Sequence, residues 1–282
     1  MQKLAIENIH ETHNYKLLKD VYENILVPCF PDPEDHLSWH KMKKIAKLSF
    51  KNPKQNAQII ISISKQSMEN GIVKPISFFV GVYYQKSQTG LISYMGMRDE
   101  CKGLSASNIQ KQVLIEMEKQ AAKHKQVLRA VFSLVDLPEH ANPKYITLPP
   151  TQRIMIMEKN GASYIPINFY YPMSKKTLLS FIRPNIIYKD DAALLGYKLH
   201  DSLTTASPQA IKDFLDDFYQ SYGINPHSNI IVQKMKREID YIPYGIKIKL
   251  SKRYRLKEKE KSIFNVPSLT IDNSSFIADY SI

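Results

Sequence analysis

Met95-Gly96-Met97-Arg98-Asp99-Glu100-Cys101-Lys102-Gly103-Leu104-Ser105-Ala106-Ser107 joins an extended segment to a helical one, and the reading of this junction decides the fold. Upstream, Phe78, Phe79, Val80, Val82 and Tyr83 form an apolar, β-branched and aromatic run, and Leu91, Ile92, Tyr94, Met95 and Met97 form a second. Lys86-Ser87-Gln88-Thr89-Gly90 between them predicts a hairpin turn. Downstream, Ile109, Val113, Met117 and Ala121 recur at steps of four among Lys, Gln and Glu, the spacing of an amphipathic helix. The order is strand, short loop, helix.

That order has a chemical use. The first turn of a helix presents unpaired N–H groups and the positive end of the helix dipole, which suit an anion such as phosphate. Gly103 lets the backbone approach such a ligand, Lys102 adds positive charge, and Ser105 or Ser107 can cap the helix or donate to an oxygen. On residues alone, an ordinary helix start bearing one glycine and two serines accounts for the same stretch.

The hairpin, the loop Glu100-Cys101-Lys102-Gly103-Leu104-Ser105 and the helix after it resemble the central motif of the GNAT acyl-CoA N-acyltransferase superfamily, whose pattern is Arg/Gln-x-x-Gly-x-Gly/Ala. Gly103 fits that pattern, Glu100 stands where Arg or Gln is expected, and Ser105 takes the last small position. A second similarity lies in Arg153-Ile154-Met155-Ile156-Met157-Glu158-Lys159-Asn160-Gly161-Ala162, like the family helix that ends in Gly-Phe or Gly-Ala. Ile167 to Pro172 resembles a tyrosine- and proline-bearing strand of one subgroup, and the similarities together span about Lys16 to Pro184. The resemblance implies an α/β fold: a mixed, mostly antiparallel sheet, splayed between two parallel strands and flanked by helices. It also implies acetyl-CoA as co-substrate, held by the Met95 and Met97 backbone and by Cys101, Lys102, Gly103, Leu104, Ser105 and Ala106.

Length and composition set the bounds. The 282 residues suffice for one large domain or a domain with an appendage, and the charged and apolar fractions are those of a globular protein. No apolar run approaches a membrane span, and Met1 to Glu7 lacks a signal-like apolar segment, so a cytoplasmic protein is expected. Cys29 and Cys101 make no disulfide framework and read as free thiols. The net charge of +12, mainly from lysine, permits an anionic cofactor, nucleic acid or an acidic surface as partner, but equally a solvated exterior.

In chain order, Lys16 to Ile25 predicts a helix ending before Pro28, and Asp35 onward a second with Trp39, Met42, Ala46 and Phe50 on one face. His36 and His40 lie one helical turn apart, but no third ligand follows at a metal-site spacing, so no metal is expected. Ala57 to Ser64 reads as a strand, Lys65 to Pro75 as a loop, and Arg129 to Asp136 as a buried strand, the parallel partner that a strand-helix-strand unit needs. Leu137 to Pro150 is a long loop, Thr151 a cap for a helix closed by Gly161, and Tyr164 to Tyr171 and Thr177 to Ile182 two more strands. Ser207-Pro208 starts a helix carrying Ile211, Phe214, Leu215, Phe218 and Tyr222; Asn229 to Ile239 makes another, and Ile246 to Leu250 alternates like a strand. These patterns suggest a catalytic domain over 1–185, an extension over 186–261 and a tail over 262–282.

Acetyl transfer needs a bound thioester, an unprotonated amine and a donor for the departing thiolate. Asp136 and Glu139 are the acids placed to serve as base, unless they fix the loop instead, and Tyr145 is the candidate donor, unless it is a surface or packing tyrosine. The family often carries a tyrosine four residues before the helix-ending glycine. Met157 stands there and has no proton to give. The activity the resemblance implies is transfer of acetyl from acetyl-CoA to an amine by direct attack. One alternative is a coenzyme A-binding or protein-interaction module without turnover. Nucleic-acid binding through Lys247 to Lys261, with eight Lys or Arg against two Glu, is the other.

Overall fold

The computed structural model describes residues 5–32, 36–51, 56–67, 73–98, 106–139, 144, 148–174, 186–189, 192–197, 199 and 206–242. The chain opens with β1 (Ala5–Asn8), α1 (Ile9–Thr12) and α2 (Tyr15–Val21), followed by a π-helical turn (Tyr22–Leu26) and α3 (Val27–Cys29). Helix α4 (Trp39–Lys51) leads to the antiparallel strands β2 (Ala57–Ser67), β3 (Val73–Tyr84) and β4 (Thr89–Met97). Then come α5 (Ala106–Lys123), β5 (Ala130–Asp136), α6 (Pro150–Lys159) and β6 (Ala162–Tyr164). Strands β7 (Tyr171–Ser174) and β8 (Ile186–Lys189) pair apart from the main sheet; β9 (Ala192–Tyr197), α7 (Pro208–Ser221) and α8 (Ile230–Asp240) follow.

Seven strands form one sheet in the order β1-β2-β3-β4-β5-β9-β6. Every neighbouring pair in it is antiparallel except β4 and β5, which are parallel and joined by α5. This is the mixed, mostly antiparallel α/β sheet that the sequence suggests. Residue alternation sends Phe79, Tyr83 and Ile92 to one face, where Ile109, Val113, Met117 and Ala121 of α5 and Ile154 of α6 cover them. The other face has two covers. Ile61, Ile63, Phe78 and Val80 lie under α1 to α4, while Tyr84, Leu91, Phe132 and Leu194 lie under α7 and α8.

Several expectations change on contact with the tertiary structure. The first helix does not stop before Pro28: the wider π turn, with Val27 N–H on the Tyr22 carbonyl, makes room for the proline ring, and helix continues to Cys29. The stretch from Lys65 to Pro75 is not all loop, because a bulge at Ser64/Lys65 lets Pro75 sit in the ladder opposite Lys65. Thr151 caps nothing. Pro149 and Pro150 occupy the N-cap and first helical positions, and Arg153 N–H donates to the Pro149 carbonyl. The strand expected from Tyr164 to Tyr171 breaks at Pro166 into β6, an irregular run and β7.

Beyond residue 185, strand β9 is part of the main sheet and α7 packs on it. Strand β9 pairs β5 on one edge and β6 on the other, so the sheet would be split without it. Phe214 of α7 stacks on Phe132 of β5 at 4.3 Å between centroids. The buried Asp217 carboxylate accepts from Asn56 Nδ2 and from the Ser87 N–H of the β3-β4 turn, both at 2.7 Å. A helix from the far end of the chain thus fixes the hairpin that precedes the candidate site. The expected strands over 177–182 and 246–250, the basic segment 247–261 and the tail lie outside the described residues.

Candidate functional site

The site begins as a fault in the sheet. Strands β4 and β5 pair over Thr89–Ile92 and Ala130–Ser133, and there the pairing ends. Each continues with its outer neighbour: β4 follows β3 to Met97, with Arg98 N–H on the Ile76 carbonyl at 2.9 Å, and β5 follows β9 to Asp136. A bulge causes the parting. Val80 opposes Tyr94 and Gly81 opposes Ile92, so Ser93 is an extra residue that bends β4 and shifts its alternation by one.

Burial records the same opening. Thr89 to Ile92 are buried, Ser93 is exposed, and Tyr94 to Met97 are half-buried although they lie on a central strand with helices on both faces. Because Arg98 N–H points at β3, alternation turns the Met95 and Met97 amides the other way, toward the gap. Their side chains pack on the α5 face of the sheet. The Met97 carbonyl accepts from Cys29 Sγ at 3.5 Å.

Two glycines make this geometry possible. A Cβ at Gly81, opposite the bulge, would lie 2.3 Å from Met117 Cε and 2.9 Å from the Leu91 carbonyl oxygen. A Cβ at Gly96 would meet Phe78 Cε1 at 2.8 Å and Cys29 Sγ at 3.0 Å. Gly81 therefore admits α5 to the sheet, and Gly96 admits the end of α3.

The opposite lip is the end of β5. Asp136 is half-exposed and its Oδ2 lies 3.1 Å from Arg153 Nη1 of α6, so the candidate base is held in an ion pair. Glu139 is exposed in the turn that follows. Met157, on the same helix as Arg153, is partly buried against the α5-face core. Ala106 is the first residue of α5, and the four apolar positions expected on that helix all face the sheet. Cys101, Lys102, Gly103, Leu104, Ser105 and Tyr145 lie outside the described residues.

The fold also gathers aromatic residues that sequence reading did not join. Tyr94, on the face of β4 away from α5, meets Phe30 edge-on at 5.4 Å. Tyr171 of β7 and Tyr222 at the end of α7 place their hydroxyls 2.7 Å apart. Burial raises the Tyr84 phenol; that of Tyr222 is raised by desolvation and then by the neighbouring phenols of Tyr171, Tyr84 and Tyr94, although 41% of that residue's surface faces solvent, so its shift counts for less than that of Tyr84. These phenols stay protonated and can donate. The one local signal was the break in alternation at Ile92-Ser93-Tyr94.

Among the described residues no group of three or more His, Cys, Asp or Glu is placed to hold a metal ion, and no helix is long and apolar enough to cross a membrane. No family model matches the sequence, and a comparison with curated proteins found no match. Solved structures do show similarity. Aminoglycoside 6'-acetyltransferase type Ii aligns with 69% of this chain and 96% of its own, at 12% identity and a TM-score of 0.39. The catalytic domain of Tetrahymena GCN5 histone acetyltransferase, in complex with coenzyme A, aligns over 71% and 95% at 14% identity and 0.37. N-acetylglutamate synthase from Neisseria gonorrhoeae, complexed with coenzyme A and N-acetyl-glutamate, aligns over 71% and 36% at 9% identity and 0.36.

Proposed function

We infer that the chain is a GNAT-type N-acetyltransferase that moves an acetyl group from acetyl-CoA to an amine. The observation that carries this reading is the parting of β4 from β5 after four paired residues, which leaves half-buried amides of Met95 and Met97 facing a gap. An extended ligand bearing amides of its own, as the pantetheine arm does, suits such an edge.

Acetyl-CoA supplies an activated acyl group as a thioester. Transfer forms a C–N bond and breaks the C–S bond, with one proton leaving the amine nitrogen and one reaching the thiolate. In this reading the Met95 and Met97 backbone orients the arm and polarises the carbonyl, and residues 101–106 with the first turn of α5 hold the pyrophosphate. Asp136 or Glu139 takes the amine proton, directly or through water, and Tyr145 returns one to sulfur.

A second reading, a module that binds coenzyme A without turnover, is favoured by two observations. Asp136 is engaged by Arg153, and the position where a proton donor would stand is the packed thioether of Met157. Calorimetric titration with acetyl-CoA, beside the variant Gly103→Glu, tests both. Saturable binding by wild type that the variant loses, followed by thiol release in the presence of amines, is the expected result. Binding without thiol release selects the module, and no binding at millimolar acetyl-CoA overturns both readings.

A further inference from the structure

Helix α4 carries Lys41, Lys43, Lys44, Lys47 and Lys51 and not one acid. Met42 and Ala46 are buried in the core they share with Ile9, Val21 and Ile25, whereas His40, Lys41, Lys44 and Lys47 are exposed, so the outward side of the helix is a basic face. Acids on the neighbouring elements are matched by other cations: Glu7 by Lys65, Glu11 by Lys123, Asp20 by Arg98 and Glu23 by Lys19. These pairs draw on none of the α4 lysines.

Aromatic rings border the face at both ends. Lys47 Nζ lies 5.8 Å from the centre of the Tyr15 ring, and the exposed His13 imidazole stacks on that ring at 6.4 Å with 4° between the planes. Trp39, the first residue of α4, meets Tyr22 at 5.6 Å, and Tyr22 meets His36 edge-on at 5.9 Å. With Tyr15 beside Lys47 and Tyr22 beside Trp39, α2 runs alongside α4 in the opposite direction, and the three rings are half-buried on one core. From Trp39 to Lys47 the helix rises about 12 Å at 1.5 Å per residue. Lysines over that length, with rings at each end, match a strand of phosphates that carries unpaired bases: ammonium groups meet the phosphates and rings stack on the bases. A bilayer surface asks instead for apolar side chains that enter it, and those of α4 turn inward. An acidic peptide would use the lysines and leave the rings idle. Unpaired bases are ordinary in RNA, whose loops and single strands present them.

We propose that this side of α4, with His13 and Tyr15 at one end and Tyr22 and Trp39 at the other, docks single-stranded RNA. The surface is separate from the gap between β4 and β5, so its loss would leave the acyl-transfer reading untouched. Fluorescence anisotropy of the full chain with a labelled oligoadenosine RNA, from about 50 to 300 mM salt, tests it. The variants are Lys41→Gln/Lys44→Gln/Lys47→Gln and His13→Asn, since asparagine accepts the left-handed backbone that His13 adopts at φ 57°. The expected result is saturable binding, weakened roughly tenfold or more in the triple variant, with a log–log salt slope smaller by about 2 for three lost phosphate contacts. His13→Asn should weaken it roughly fivefold at an unchanged slope, through lost stacking. Absence of binding at the lowest salt, or the same affinity and slope in wild type and the triple variant, overturns the proposal. So does displacement of the RNA by poly-glutamate or by anionic lipid vesicles at equal charge concentration, or full affinity in His13→Asn, since either leaves a surface that reads charge alone. The altered side chains are exposed; should the triple variant nonetheless melt early, Lys44→Gln alone reads the same face as a slope smaller by about 0.7.

Discussion

Gly96 has no side chain, and that absence is what lets the end of α3 lie on β4. Its Cβ would stand inside contact distance of Phe78, which is buried and cannot swing away, and of Cys29. Gly96→Ala is therefore expected to cost about 1–3 kcal/mol of stability through overpacking, read as a lower urea midpoint at unchanged m-value. The same substitution should weaken acetyl-CoA binding, since it pushes on the strand whose amides face the gap. Asp136 was legible as the acid at the end of the buried strand because a run of apolar residues stops there. Its engagement by Arg153 was not, since the two are joined only through a long loop whose course no local pattern fixes.

At the scale of elements, α5 is pinned to β2 and to the start of the chain by polar contacts as well as by its apolar stripe. Ser64 Oγ donates to Gln112, Asn8 Nδ2 to the buried Glu116, and Gln120 Nε2 lies 3.0 Å from His10 Nε2. Burial lowers the His10 pKa from 6.5, against the raising pull of Glu11 and Glu116 and with a further lowering from Lys123. The unfolded chain thus takes a proton at His10 more readily than the folded one, so stability falls as pH drops through about 6.5. Glu7 and Glu11 act in a lower window. Burial opposes the lowering of Glu7, but hydrogen bonds from Lys65, Asn14 and Thr12 prevail; Lys123 chiefly holds Glu11 down, and both contributions fade as pH falls below 4.5. Urea unfolding between pH 8 and 5.5 should therefore show a decline that His10→Gln flattens; an unchanged slope in that variant would contradict the assignment. Nothing in the sequence pattern marks Gln112, Glu116 and Gln120 as inward-facing, because charged and amide residues at helical spacing ordinarily face water.

At the scale of the whole molecule, the sheet closes only when distant segments arrive. Strand β9 fills the place between β5 and β6, and Phe214 and Asp217 of α7 cover β5 and brace the β3-β4 turn. A fragment of residues 1–185 lacks all three. It is expected to show no cooperative thermal transition and no coenzyme binding, whereas the intact chain melts as a unit. A folded, coenzyme-binding fragment would restore the boundary at 185 that composition suggested.

What the sequence determined by itself was the succession of elements around the junction: the hairpin, the amphipathic α5 and the buried strand after it as the parallel partner; the otherwise antiparallel order was implied by the family resemblance. These follow from side-chain period and turn chemistry, which act within a few residues. Only the tertiary structure decided that β4 and β5 part at a bulge and that β9 enters the sheet between β5 and β6. Those outcomes depend on which apolar surfaces meet between segments well separated in the chain. Burial is non-directional, so no local pattern names the partner.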